Sequence, residues 1–387
     1  MDYSHLKTWH TNAREKTLHG RYITQSHILP LIQNLSGDFQ VDLLGDSVQG
    51  RPVHAVTWGK GAFKILGWSQ MHGNESTTTK AVFDLFKWLS DNSEVKEHAN
   101  LSSKITLKLV PMLNPDGAEA YTRVNANKVD LNRDAQDRTQ PESRILHQLY
   151  TGFKPDLCLN LHGQRTIFGV GNPARSATVS FLSPSQDELR TVNQSRKKGM
   201  AIIARLAEIL NTFIPGQIGR YDDGFNINCV GDTLQQLNIP TLLFEAGHFH
   251  EDYDREETRA FMFLSLLGVL ESAILKNWEE NDAYKPYFSI PENEKCFYDI
   301  ILRGLKLPEK GIEDLAIQYE EQLHNSAIHF VPKIAQIADL EKYTGHKEFD
   351  FQGAEPVFSS DFVLQEGAIL EELEVNGKLP TTFSLKS

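Results

Sequence analysis

The sequence predicts an α/β layered fold, and three observations point to it. Short apolar runs alternate with longer patterns of helical spacing from about residue 39 to 277. Polar clusters follow several of these runs directly, and strand ends are where open α/β sheets build their sites. At 40% hydrophobic and 23% charged, a chain of 387 residues can bury a large core, and its length suggests about two domains.

The elements follow in order. VHAVTW (53–58) and FKILGW (63–68) flank Gly59-Lys60-Gly61 and read as a hairpin. Ala81, Val82, Leu85, Phe86 and Leu89 then recur at helical spacing, so a helix follows the loop that begins near His72. KITLKLVPM (104–112) is a strand stopped by the turn residues Asn114-Pro115-Asp116-Gly117. Pro141-Glu142 opens a helix carrying Ile145, Leu146 and Leu149, because proline suits the first helical turn. DLCLNLHG (156–163) is a buried strand ending at His162, and Asp187 to Phe213 is a long amphipathic helix. IPTLLFEAG (239–247) is a further central strand, and the last helix of the unit runs from about Arg255 to Trp278.

Asn281, Asp282, Lys285, Pro286 and Pro291 read as a linker, dividing residues 1–280, with a core at about 40–277, from residues 281–387. Beyond it lie a few short helical patterns, then strand-like pieces at Phe358–Leu364 and Leu370–Val375. Val375-Asn376-Gly377-Lys378 carries the Asn-Gly hairpin signal. A small α+β or β-rich domain is expected there.

Charge and composition exclude several function classes. With 39 Lys plus Arg against 51 Asp plus Glu, the net charge of -12 argues against nucleic-acid binding, which needs a concentrated basic surface. Most of the excess lies after residue 280, where 19 acidic residues face 10 basic ones, so the first part of the chain is nearly neutral. Cys158, Cys229 and Cys296 are far apart and form no C-x-x-C pair, which favours a reducing compartment. MDYSHLKTWH has no apolar h-region, and the most apolar stretch, Phe261–Leu275, falls short of the roughly 20 residues of a membrane span. A cytoplasmic protein with no membrane partner is expected; the oligomeric state is left open.

The chemistry-bearing residues form a set. His72 and Glu75, three apart on a glycine-containing loop, can turn toward one ion, and nitrogen-plus-oxygen ligation suits Zn²⁺. His162, at the end of its strand, is the best placed third ligand. Two histidines and one carboxylate leave a fourth position open, as in catalytic zinc sites. Residues 114–134 place Arg123, Asn132 and Arg133 after a turn, and arginine's planar fork suits a carboxylate. Glu245 follows three apolar residues at a strand end, where a tuned carboxylate serves as general base. His5, His10, His19 and His27 are irregularly spaced and read as surface, while His248 and His250 lie just past Glu245, placed either to contact it or to support structure.

In this combination the chain resembles the zinc carboxypeptidases, the carboxypeptidase A-like metallopeptidases, across about residues 45–277. The resemblance rests on H-x-x-E at His72 and Glu75, the N-P-D-G turn at residues 114–117, Arg123, D-L-N-R at 130–133, His162, and Glu-Ala-Gly at 245–247. It implies a mixed, mostly parallel central sheet with helices on both faces, of zinc-exopeptidase type. It implies that one Zn²⁺ is held by His72, Glu75 and His162, that Arg123 polarises the scissile carbonyl, and that Asn132 and Arg133 hold the substrate's terminal carboxylate. Glu245 is implied as general base. Tyr221, in GRYDDGFN, is the nearest match to the family's mobile-loop tyrosine, across a small gap. Asp232, near the wall of the side-chain pocket, either favours a basic side chain or caps the helix TLQQL. The expected substrate is a small peptide with a free carboxylate, such as a cell-wall-derived one. An N-acyl amino acid is the alternative, since the His-Gly-Asn-Glu loop is also similar to succinylglutamate desuccinylase and aspartoacylase relatives. A third possibility is a binding protein on the same fold, which predicts the loss of a ligand or the base; every position is occupied here.

Overall fold

The computed structural model describes residues 1–91, 95–308, 310–358, 361–375, 381–383 and 385–386. Two N-terminal helices, α1 (Tyr3–Ala13) and α2 (Gln25–Gln33), precede strands β1 (Phe39–Asp46), β2 (Pro52–Trp58) and β3 (Phe63–Ser69). Helices α3 (Thr77–Leu89) and α4 (Val95–Lys104), strand β4 (Ile105–Val110), helices α5 (Pro115–Ala120) and α6 (Pro141–Phe153), and strand β5 (Leu157–Gly163) follow. Next come β6 (Phe168–Val170), β7 (Arg175–Ser176), β8 (Val179–Leu182), α7 (Gln194–Asn211), β9 (Ile218–Arg220), α8 (Val230–Gln236), β10 (Thr241–Ala246) and α9 (Glu256–Leu275).

The central sheet has eight strands in the order β1-β2-β4-β3-β5-β10-β8-β9. Its middle is parallel: β3 runs alongside both β4 and β5, and β5 alongside β10. The pairs β1–β2, β2–β4 and β10–β8 are antiparallel, which makes the sheet mixed, as expected. Strand β5 is buried from Leu157 through His162, which explains its near-continuous apolar run. The 53–68 hairpin is not formed, because β4 lies between β2 and β3. The glycine link steps across β4 instead of folding back, with Lys60 N–H donating to the Ser102 carbonyl at 2.8 Å and Gly61 N–H to that of Ile105 at 3.1 Å.

Two helices differ in extent from the sequence expectation. α7 begins at Gln194, where the Asn193 side chain caps it by accepting from Arg196 N–H at 2.8 Å; residues 187–189 form a bend and turn, and 190–193 are irregular. α9 spans Glu256–Leu275 between left-handed residues Arg255 and Lys276. Its length and hydropathy reach what a membrane span needs, and 83% of its apolar window is buried inside the protein. The N-terminal arm is also more integrated than its polar sequence suggests. His10 is fully buried, with Nε2 2.9 Å from Asp84, a carboxylate that also receives the Arg259 guanidinium; His5, His19 and His27 are exposed.

The rest of the chain is built of strands rather than short helices. A 3₁₀ turn at Lys285–Ser289 leads to β11 (Glu294–Lys295), which joins β6 and β7 in a small sheet. Strands β12 (Phe297–Leu307), β13 (Gly311–His324), β14 (Ala327–Ala338) and β15 (Thr344–Asp350) follow, then β16 (Pro356–Val357), β17 (Glu372–Val375), β18 (Thr381–Thr382) and β19 (Leu385–Lys386). Five of them form a sheet in the order β15-β12-β13-β14-β19. Ile300, Leu302, Leu315, Ile317 and Ile334 anchor its own apolar cluster. No strand forms at the described residues of Phe358–Leu364, whereas β17 realises most of the 370–375 expectation and pairs antiparallel with β18. The Asn376-Gly377 turn lies outside the described residues.

Candidate metal centre and cleft

The site begins at the carboxyl ends of β3, β5 and β10. After Ser69 the chain turns through Gln70, a non-glycine residue held at φ 48°, into the loop carrying His72. Gly73 and Gly117 are required where this loop meets α5: a Cβ on Gly73 would lie 1.9 Å from the Gly117 carbonyl carbon. Asn114 ties the two together, its side chain accepting from Gly117 N–H at 2.8 Å and donating to the Met71 carbonyl at 3.1 Å. The N-P-D-G turn therefore also opens α5, with Asn114 as its cap.

His72, Glu75 and His162 converge. His72 Nδ1 lies 2.9 Å from Glu75 Oε1, His162 Nδ1 lies 2.9 Å from Glu75 Oε2, and the two Nδ1 atoms are 3.1 Å apart. Both imidazoles are 2% exposed. Two ring nitrogens and a carboxylate gathered this closely form a donor set that suits zinc. His72 Nε2 is held at 3.0 Å by Asp130, which fixes the ring with Nδ1 toward the cluster. Asp130 is the residue sequence reasoning passed over. It also accepts from Arg123 Nε at 3.0 Å and from Asn132 N–H at 2.9 Å, joining the ligand, the arginine and the carboxylate-binding segment. Its place at the head of D-L-N-R was the available signal.

Strand register sets the rest. In the parallel pairing of β10 with β5, Glu245 lies beside His162 and Leu243 beside Asn160. With a period of two, Glu245, His162, Leu243 and Asn160 face the same cavity of about 850 Å³. Burial pushes the Glu245 carboxyl well above the usual carboxylate range, the Glu75 charge adds to this, and Arg123 opposes it. Glu245 Oε2 has no hydrogen-bond partner within the protein, and neither side-chain polar atom of Asn160 has one.

The other predicted residues also reach the cavity. Arg123 and Arg133 are exposed within it, Arg123 Nη1 lying 3.5 Å from Glu75 Oε1. Asn132 is buried at the cavity edge, its Oδ1 accepting from Val230 N–H at 3.3 Å. Tyr221 lines the cavity with its ring edge-on to Phe168 at 5.3 Å. Asp232 does not cap α8, because Cys229 occupies the cap position; Asp232 sits in the first turn, accepts from Asn226 N–H at 3.1 Å and lines the cavity. Burial pushes its carboxyl up to about 6. His248 packs between Tyr253 and His346, with ring centroids 4.7 and 4.3 Å away, and is not among the cavity-lining residues; His250 is exposed.

The strand ends of an α/β sheet thus gather a His–Glu–His set that can hold a metal ion beside a half-buried carboxylate. Residues 31–205 match the family model described as zinc carboxypeptidase, Peptidase_M14. Carboxypeptidase SOL1 of Arabidopsis thaliana is 30% identical over 139 residues, covering 31% of this chain and 28% of the relative. Carboxypeptidase 2 of Trichophyton rubrum is 30% identical over 101 residues, covering 26% and 18%. The chain thus spans less than a third of the length of either relative. Two solved structures share the fold. A putative carboxypeptidase A from Shewanella denitrificans has a TM-score of 0.54 at 19% identity, over 64% of this chain and 68% of the other. Carboxypeptidase A from Helicoverpa armigera has a TM-score of 0.51 at 15% identity, over 66% and 74%.

Proposed function

We propose that the protein is a zinc metallocarboxypeptidase that releases the C-terminal residue of a short peptide. The observation that carries this reading is the register of β5 and β10, which sets a half-buried carboxylate, Glu245, whose Oε2 has no hydrogen-bond partner in the protein, beside the metal-binding set. Zinc held by His72, Glu75 and His162 supplies Lewis acidity toward a carbonyl and lowers the pKa of a water. Glu245, raised in pKa, takes the proton of the attacking water and delivers it to the leaving amine. Arg123, fixed through Asp130, donates to the carbonyl oxygen as negative charge develops there. Arg133 and Asn132 orient the substrate's terminal carboxylate. Tyr221, whose hydroxyl is kept protonated by burial and by the Glu245 and Glu75 charges, donates from the far wall.

Asp232 and the unpaired Asn160 amide make the side-chain pocket polar at its floor, which favours a basic terminal residue. The three cysteines are free, in keeping with the cytoplasmic setting proposed from the sequence. Hydrolysis of an N-acyl amino acid uses the same groups, and the wall added by β13 and β14 favours a short acyl half, so this remains the second reading. The zinc-loaded protein assayed on short peptides beside N-acetyl and N-succinyl amino acids separates them. Release of a terminal residue from peptides is expected; release from acyl amino acids alone would overturn the peptidase reading.

A further inference from the structure

The cavity runs along the strands. Asn160 and Leu243 lie on the carboxylate-binding side, with Asp232 and Arg133; His162 and Glu245 follow; then come Gly163, opposite Ala246, and Gln164, whose N–H donates to the Ala246 carbonyl at 2.9 Å. At about 3.3 Å per residue, the last pair lies one step past the catalytic centre, on the side where the acyl half of a substrate extends. There the C-terminal sheet closes the cleft. Gln318 Nε2 on β13 donates to Thr166 Oγ1 at 2.7 Å, and Tyr319, Glu321 and Lys333 join the lining.

A cation without an ion-pair partner stands in this half. Four arginines among the described residues are nine-tenths or more buried. Arg21 pairs with Glu321, Arg196 with Asp223 and Arg259 with Asp84. Arg255, 1% exposed and lining the cavity, forms no ion pair with a described carboxylate. Its two terminal nitrogens reach only the Ala246 and Gln164 carbonyls, at 3.3 and 3.2 Å, and its Nε has no partner. Glu321, Asp252 and Asp299 act on its charge from beyond ion-pair distance, and a buried guanidinium so placed gains from an anion that completes it. Arg165, exposed on the same rim, adds a second positive charge.

We propose that the space between Arg255 and the C-terminal sheet is a subsite for a carboxylate carried by the acyl half of the substrate. The inference rests on the cleft being an amide-hydrolase site, and it deepens that reading. The substrate class becomes a short molecule with a carboxylate on each side of the scissile amide, such as an acidic aminoacyl or dicarboxylic acyl group joined to an amino acid. Because Arg21 is already matched by Glu321, Arg255 supplies the selectivity.

The test separates binding from turnover. Zinc-loaded Glu245→Gln protein is titrated calorimetrically with N-succinyl-lysine and γ-glutamyl-lysine, and with the matched N-butyryl-lysine and 4-aminobutyryl-lysine, which lack the acyl-side carboxylate. The acidic member of each pair is expected to bind about tenfold more tightly or better, from a charge-assisted contact. Arg255→Gln in the same background is expected to bring that ratio toward one, and Arg255→Lys to restore part of it. The ratio in protein with native Arg255 decides the matter even where a variant fails to fold. Equal binding within both pairs, or no binding by any of the four, overturns the subsite. Tight, selective binding without turnover by the Glu245 enzyme would instead overturn the hydrolase reading while leaving the subsite standing.

Discussion

The two walls of the cleft are made in different ways. The leaving-group wall comes from loops at the ends of parallel strands and from α8, and its polar groups are tied to one another: Asp130 alone joins His72, Arg123 and Asn132. The acyl-side wall is set by Arg255, at the head of α9, and by the face of the antiparallel pair β13–β14. Side chains locked by such hydrogen bonds can hold a site to within about 0.5 Å. A sheet face laid across the cleft instead limits what length and charge can enter. In the proposed reading, the tied wall carries the reaction and the choice of terminal residue, through Arg133 and Asp232, while Arg255 and the C-terminal sheet carry the choice of acyl half.

This contrast can be broken at several points. Glu245→Gln should have the largest effect, lowering kcat about 10²- to 10⁴-fold with zinc stoichiometry retained, as measured by metal analysis beside steady-state kinetics. Asp130→Asn should weaken zinc binding about 10- to 100-fold in competition with a chelator, since it removes the group that orients His72. Arg133→Met should lower kcat/KM about tenfold or more for substrates with a free terminal carboxylate, through a rise in KM, and have little effect on the amidated counterparts.

The smallest effect concerns pH. Asp232, with its carboxyl pushed up to about 6, is neutral below that pH and charged above it. Preference for a terminal lysine over a neutral norleucine should therefore rise as pH increases through about 6 and fade below it. Asp232→Asn should flatten the profile. A preference that rises on acidification would place the basic side chain elsewhere.

The sequence exposed the leaving-group wall because its chemistry demands particular residue types at short spacings: His72 with Glu75, and Asp130 through Arg133. The ends of β5 and β10 were legible for the same reason, as apolar runs stopping at His162 and Glu245. Strand order was not, since a glycine link such as 59–61 reads as a tight turn whether or not another strand enters between its neighbours. His10 looked like surface because its partner, Asp84, lies 74 residues away. The role of β13 and Arg255 was hidden for a related reason. An Arg in a polar stretch reveals neither its burial nor its lack of an ion-pair partner, and the strands of residues 297–350 mix exposed charge with apolar positions irregularly enough to resemble short helices.

The groups around Glu245 are proposed to cleave the bond next to a free terminal carboxylate. Incubating the zinc-loaded protein with a short peptide ending in lysine, in free-acid and C-terminally amidated forms, and following the products by mass spectrometry tests it most directly. Release of lysine from the free acid is expected, with a far slower reaction of the amide and none with Glu245→Gln. Equal cleavage of both forms, or release that survives Glu245→Gln, would contradict it.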